Sequence, residues 1–130
     1  MTEVNREPKY SIEITIETRY LAEQSDTESH RYAFAYTVRI LNKGSVAAQL
    51  ISRHWLIEDM NGKLVEVRGL GVVGRQPLLQ PGEHFDYTSG SELATSVGTM
   101  RGSYFFVAED GHRFDAEIAP FTLAIPRTLH

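Results

Sequence analysis

The chain has 130 residues, a length that suits one domain, and with 42% apolar residues it can bury about two thirds of its surface without disulfide or metal staples. Thirteen Lys and Arg against 17 Asp and Glu leave a formal charge of −4 with no basic stripe, which argues against nucleic-acid and anionic-membrane partners. The absence of cysteine excludes disulfides, thiolate catalysis, cysteine-ligated zinc and iron–sulfur clusters.

Met1 to Pro8 alternates charged and polar residues and lacks the apolar stretch of a secretory signal. Residues 1–9 are therefore expected to be a flexible tail, 10–130 a single domain, and the protein to be cytoplasmic. No apolar run approaches the roughly 20 residues of a bilayer span, so no membrane segment is expected. From Ser11 to Arg19 the chain alternates, with Ile12, Ile14 and Ile16 on one face and Glu13, Thr15 and Glu17 on the other, which predicts a half-buried strand. A polar loop from Glu23 to Ser29 leads into a long aromatic strand, Tyr32, Phe34, Tyr36, Val38 and Ile40, expected at the centre of a sheet. Asn42-Lys43-Gly44 turns the chain into a third strand, Gln49 to Asp59, with Ile51, Trp55 and Ile57 facing one way and Ser52, His54 and Glu58 the other. Asp59-Met60-Asn61-Gly62 predicts a hairpin with a type I′ turn, because Asn-Gly accepts positive φ at both central positions.

Leu64 to Arg68 then pairs back, a Gly-rich and Pro-bounded loop runs from Gly69 to Gly82, and Glu83 to Ser89 forms a short strand. Met100 to Ala108, a Glu109-to-His112 turn and Phe114 to Ile118 make a final hairpin. About seven strands, with no run of helical period, predict an all-β fold: a two-sheet β-sandwich, with a small barrel as the alternative.

Few constellations suggest chemistry. Gly69-Leu70-Gly71-Val72-Val73-Gly74 fits G-x-G-x-x-G, yet Pro77 and Pro81 stand where a dinucleotide-binding helix would run. Two readings remain for this loop. Either its glycines only permit positive φ, or the N–H groups of Gly69, Gly71 and Gly74 form a nest that weakly binds a small anion, phosphate or pyrophosphate, or a nucleotide, with Arg68 and Arg75 supplying charge. His30, His54, His84, His112 and His130 show no metal-ligand spacing, and His112 beside Glu109 and Asp110 reads as a turn. Ser52 and His54 share a strand face with no legible carboxylate. No catalytic set, metal site or cofactor is therefore expected, and Trp55, the single tryptophan, is assigned to the core.

Arg31-Tyr32-Ala33-Phe34-Ala35-Tyr36, Arg53-His54-Trp55, Gly69-x-Gly71-Val72-Val73-Gly74-x-Gln76-Pro77, Pro81-Gly82-Glu83, Tyr87-Thr88-Ser89-Gly90 and Gly98-Thr99-Met100-x-Gly102-x-Tyr104 together resemble the ApaG family over nearly the whole chain. The resemblance implies a fibronectin type III-like, immunoglobulin-like sandwich of seven strands. It also implies no settled activity of its own, since the family is named for gene neighbourhood with a diadenosine tetraphosphatase. Related domains in F-box proteins and in a polymerase delta-interacting protein point to a non-enzymatic module that binds a partner protein, and the family carries a link to cobalt resistance and magnesium efflux. Leu70 and Ala94 depart from the family pattern, which often has an acidic residue or proline at the first position and an acidic residue at the second.

Overall fold

The computed structural model describes residues 8–126; the expected tail lies outside them except for Pro8 and Lys9, and so does His130. Eight strands follow in order: β1 (Ile12–Tyr20), β2 (Tyr32–Asn42), β3 (Ala48–Asp59), β4 (Leu64–Leu70), β5 (Leu78–Leu79), β6 (His84–Leu93), β7 (Val97–Ala108) and β8 (Arg113–Ala124). Two 3₁₀ turns, Ala22–Gln24 and Thr27–Ser29, are the helical residues among those described, and no helix is long and apolar enough to cross a membrane. The strand beyond the expected seven is β5, two residues lying inside the expected loop.

All pairings are antiparallel. One sheet runs β1-β2-β6 and the other β4-β3-β7-β8, with β4 and β5 paired to different stretches of β3. Period-2 alternation makes the sandwich, because each strand turns one face inward. From β2, Phe34, Tyr36, Val38 and Ile40 are buried, and they share one core with Leu50, Trp55, Met100, Tyr104, Phe106, Ile118 and Leu123 of the opposite sheet. Trp55 is only 2% exposed. Tyr36, Phe121 and Tyr104 surround it edge-on, with ring centroids at 5.5, 5.9 and 6.1 Å. The Tyr87 and Tyr104 hydroxyls meet at 2.5 Å across the core, so each buried phenol has a partner, and burial pushes both well above the ordinary tyrosine range.

Three elements depart from expectation. The ladder between β3 and β7 shifts register between Leu50 and Ser52, so the core positions of β3 are Ala48, Leu50 and Trp55, while Ile51 is half-buried. A bulge reverses the alternation, and strict period 2 cannot anticipate it. In β8 the expected end at Ile118 is overrun to Ala124, with Leu123 in the core and Phe121 packed against it. Pro120 is accommodated because β8 is an edge strand and its register with β7 is broken between Met100 and Gly102. At the Asp59 hairpin, Gly62 has φ 81 but Asn61 is not in the positive-φ region, so the turn is not type I′. Its Gly62 N–H bonds to the Asp59 carbonyl, and the Asp59 carboxylate accepts from the N–H groups of Asn61 and Lys63 at 2.9 and 3.0 Å.

Candidate functional site

The glycine motif is split by the fold. Arg68, Gly69 and Leu70 belong to β4, where Gly69 stands opposite Arg53 of β3, and only residues 71–77 form the connection to β5. That connection is a miniature hairpin. Val72 N–H bonds to the Arg75 carbonyl at 2.8 Å and Arg75 N–H returns to the Val72 carbonyl at 2.9 Å. Its two central residues, Val73 (φ 44) and Gly74 (φ 78), carry the φ signs of a type I′ turn. The turn expected at Asn61-Gly62 therefore occurs at Val73-Gly74, where valine gave no signal for it. Val72 is fully buried, whereas Val73 points outward and is 56% exposed.

The β3 bulge holds this hairpin in place. At Ile51 the carbonyl is turned to the loop and accepts from Gly71 N–H at 2.8 Å and from Gln76 Nε2 at 2.9 Å. Arg53 Nη1 donates to the carbonyls of Leu70 and Gly71, both at 3.0 Å. A Cβ at Gly69 would lie 2.8 Å from the guanidinium, so a larger residue there would push Arg53 aside. Gln49 Nε2 caps the Gln76 carbonyl at 3.0 Å, and Leu50 N–H bonds to the Pro77 carbonyl.

These bonds bear directly on the anion nest. The N–H groups of Gly71, Val72 and Arg75 all donate to protein carbonyls, and Gly69 sits in a strand ladder, so consecutive donors do not converge on one point with Gly74. The two arginines are also parted. Arg68 Nη2 is bound to Glu66 at 3.0 Å and lines a groove with Ser52 and His54, whereas Arg75 lines another groove with Gln76 and Phe85. The geometry favours the first reading of the loop, backbone conformation, over the second.

The groove of about 510 Å³ beside Arg68 lies on the outer face of the larger sheet, lined also by Ser103, Phe105 and Asp115. Here the structure supplies the carboxylate that the sequence did not show: His54 Nε2 donates to Glu66 at 2.6 Å. That hydrogen bond first, and the Arg68 charge second, hold Glu66 below the usual carboxylate range. Glu66 was hidden because it comes from the neighbouring strand, diagonal to His54 across the β3–β4 ladder. Neither Ser52 nor Ser103 is hydrogen-bonded to the imidazole, so the pair has no aligned nucleophile.

The remaining histidines are scattered. His30 ends a 3₁₀ turn, His84 pairs with Asp86 at 3.1 Å, and the His112 ring stacks on Tyr10 at 4.0 Å. Among the described residues no three metal-ligating side chains come together. Asp110 serves as a clasp, accepting from Tyr10 Oη at 2.5 Å, from Lys9 Nζ at 3.2 Å and from His112 N–H at 3.1 Å.

A family model described as the ApaG domain matches residues 22–108. A protein named ApaG from Thiobacillus denitrificans is 66% identical, with 94% of this chain and 96% of that one aligned. The protein of the same name from Methylobacillus flagellatus is 59% identical over 98% of this chain and all of that one. Among solved structures, a Bordetella pertussis protein described as ApaA superposes with a TM-score of 0.91 at 56% identity, covering 93% of this chain and 98% of that one.

Proposed function

We propose that this chain, which belongs to the ApaG family, is a non-enzymatic binding module that engages a partner protein through the tip of its 71–76 hairpin. The observation that carries this reading is Val73. A β-branched residue at φ 44 is strained by roughly 1–2 kcal/mol relative to glycine, and its exposed side chain gains no core packing in exchange. Strain retained at an exposed apolar side chain is accounted for if that side chain is used outside the monomer. The hydrogen bonds from Arg53, Gln49 and Gln76 keep the tip rigid, so presenting Val73 costs little ordering on binding. Leu78, 55% exposed on the strand that the loop leads into, extends the apolar surface.

With a net charge of −4, a protein partner fits better than a nucleic acid or an anionic membrane, and the proposed compartment is the cytoplasm. A connection to cobalt resistance or magnesium efflux would run through that partner. The test compares Val73→Asn with wild type as bait in cell extract and in urea unfolding. Asparagine tolerates the left-handed region, so the variant should be more stable and yet lose a specific captured protein. A variant that keeps the captured protein, or that is less stable, overturns the reading, and so does hydrolysis of a dinucleoside polyphosphate that copurifies with this chain.

A further inference from the structure

The free edges of the two sheets differ. At β8 the edge is interrupted by Pro120 and a register break, β1 turns Glu13 and Glu17 outward while its isoleucines pack on the core, and β6 carries His84, Asp86 and Glu92. None of these three strands has an exposed large apolar residue among the described residues, whereas β4 has Leu64, Val65 and Leu70, the last 74% exposed. It also pairs with β3 from Ser52 to Glu58 with no register break, so its outer edge is a regular row of backbone groups that pair with no further strand, the Leu70 carbonyl alone accepting from Arg53 Nη1.

We propose that β4 pairs antiparallel with β4 of a second copy of this chain, joining the two larger sheets across a two-fold axis at Val67. Leu64-Val65-Glu66-Val67-Arg68-Gly69-Leu70 is self-complementary about that centre. Glu66 falls opposite Arg68 of the second copy, Arg68 opposite its Glu66, and Leu64 opposite its Leu70. Such an isologous contact uses the same patch on both copies and closes on itself. The charges are available for it, since the Arg68 and Glu66 side chains are 70% and 50% exposed. Competing registers are disfavoured. Shifting the pairing by two residues sets Glu66 against Glu66 or Arg68 against Arg68, and shifting it by one turns the outward residues to the wrong face. The Val73 tip is not part of this contact, so dimerisation stands or falls separately from partner capture.

Sedimentation velocity over a concentration series tests the proposal. Wild type should show a concentration-dependent dimer, and Val73→Asn should show the same one. Arg68→Glu places two Glu–Glu oppositions across the axis and Glu66→Arg places two Arg–Arg oppositions, so each alone should weaken the dimer about tenfold or more. Mixed together, the two variants restore both opposite-charge pairs and should form a heterodimer. Both positions are exposed, and circular dichroism confirms that each variant is folded. A wild type that stays monomeric throughout overturns the proposal, as does Arg68→Glu dimerising like wild type or a mixture that stays monomeric.

Discussion

Replacing Gly71 by alanine tests whether the 71–76 hairpin is held by the β3 bulge. Gly71 has φ 64, which costs an alanine roughly 1–2 kcal/mol. A Cβ at this position would also overlap the Arg75 carbonyl, a backbone atom that cannot swing aside. Relieving the overlap has to open the Val72–Arg75 pair, which is two hydrogen bonds at roughly 0.5–1.5 kcal/mol each, and to disturb Val72, which is fully buried. The sum is about 2–5 kcal/mol, a sizeable part of the roughly 6–20 kcal/mol expected for a domain of this length. Gly74→Ala is the control. It has φ 78 with no atom near the added Cβ, so it should lose only the conformational part, about 1–2 kcal/mol. Urea unfolding followed by Trp55 fluorescence gives both values, and equal losses in the two variants would refute the account of the loop.

Trp55→Ala empties a site enclosed by three aromatic rings and should cost about 3–5 kcal/mol; because it removes the only tryptophan, circular dichroism must follow the unfolding. Asp110 is held at about 2, mainly by the Tyr10 hydroxyl, and a depressed carboxylate stabilises the fold above its ordinary pKa and loses that contribution as the pH falls through the folded value. Tyr10→Phe should move the Asp110 carboxyl midpoint, read by carbon NMR, up toward 3.8, and should reduce the loss of stability between about pH 4 and pH 2; an unmoved midpoint would show that Tyr10 does not hold it. In a pyrophosphate titration at low salt, Gly71 should show no saturable amide shift, since its N–H is already bound to Ile51; a localised, saturable shift at Gly69, Gly71 and Gly74 that Arg75→Ala abolishes would restore the anion nest.

Strand alternation is a local property, and wherever it is unbroken the sequence alone determined the strand and its buried face, as for Ile12 to Ile16 and Phe34 to Ile40. It determined the all-β class, the core position of Trp55 and, through motifs spread along the chain, the family. The remaining features depend on the neighbouring strand. The bulge at Ile51 exists in the register of β3 against β7, and it is this bulge that turns a carbonyl toward Gly71 and occupies the N–H that the glycine motif had offered to an anion. Glu66 reaches His54 only because β4 lies beside β3, and β8 continues past Pro120 only because it lies at an edge. Periodicity reports which way a side chain points along one strand. Which donor, acceptor or charge it meets is settled by register between strands, and a hydrogen bond available in the chain can be spent inside the fold.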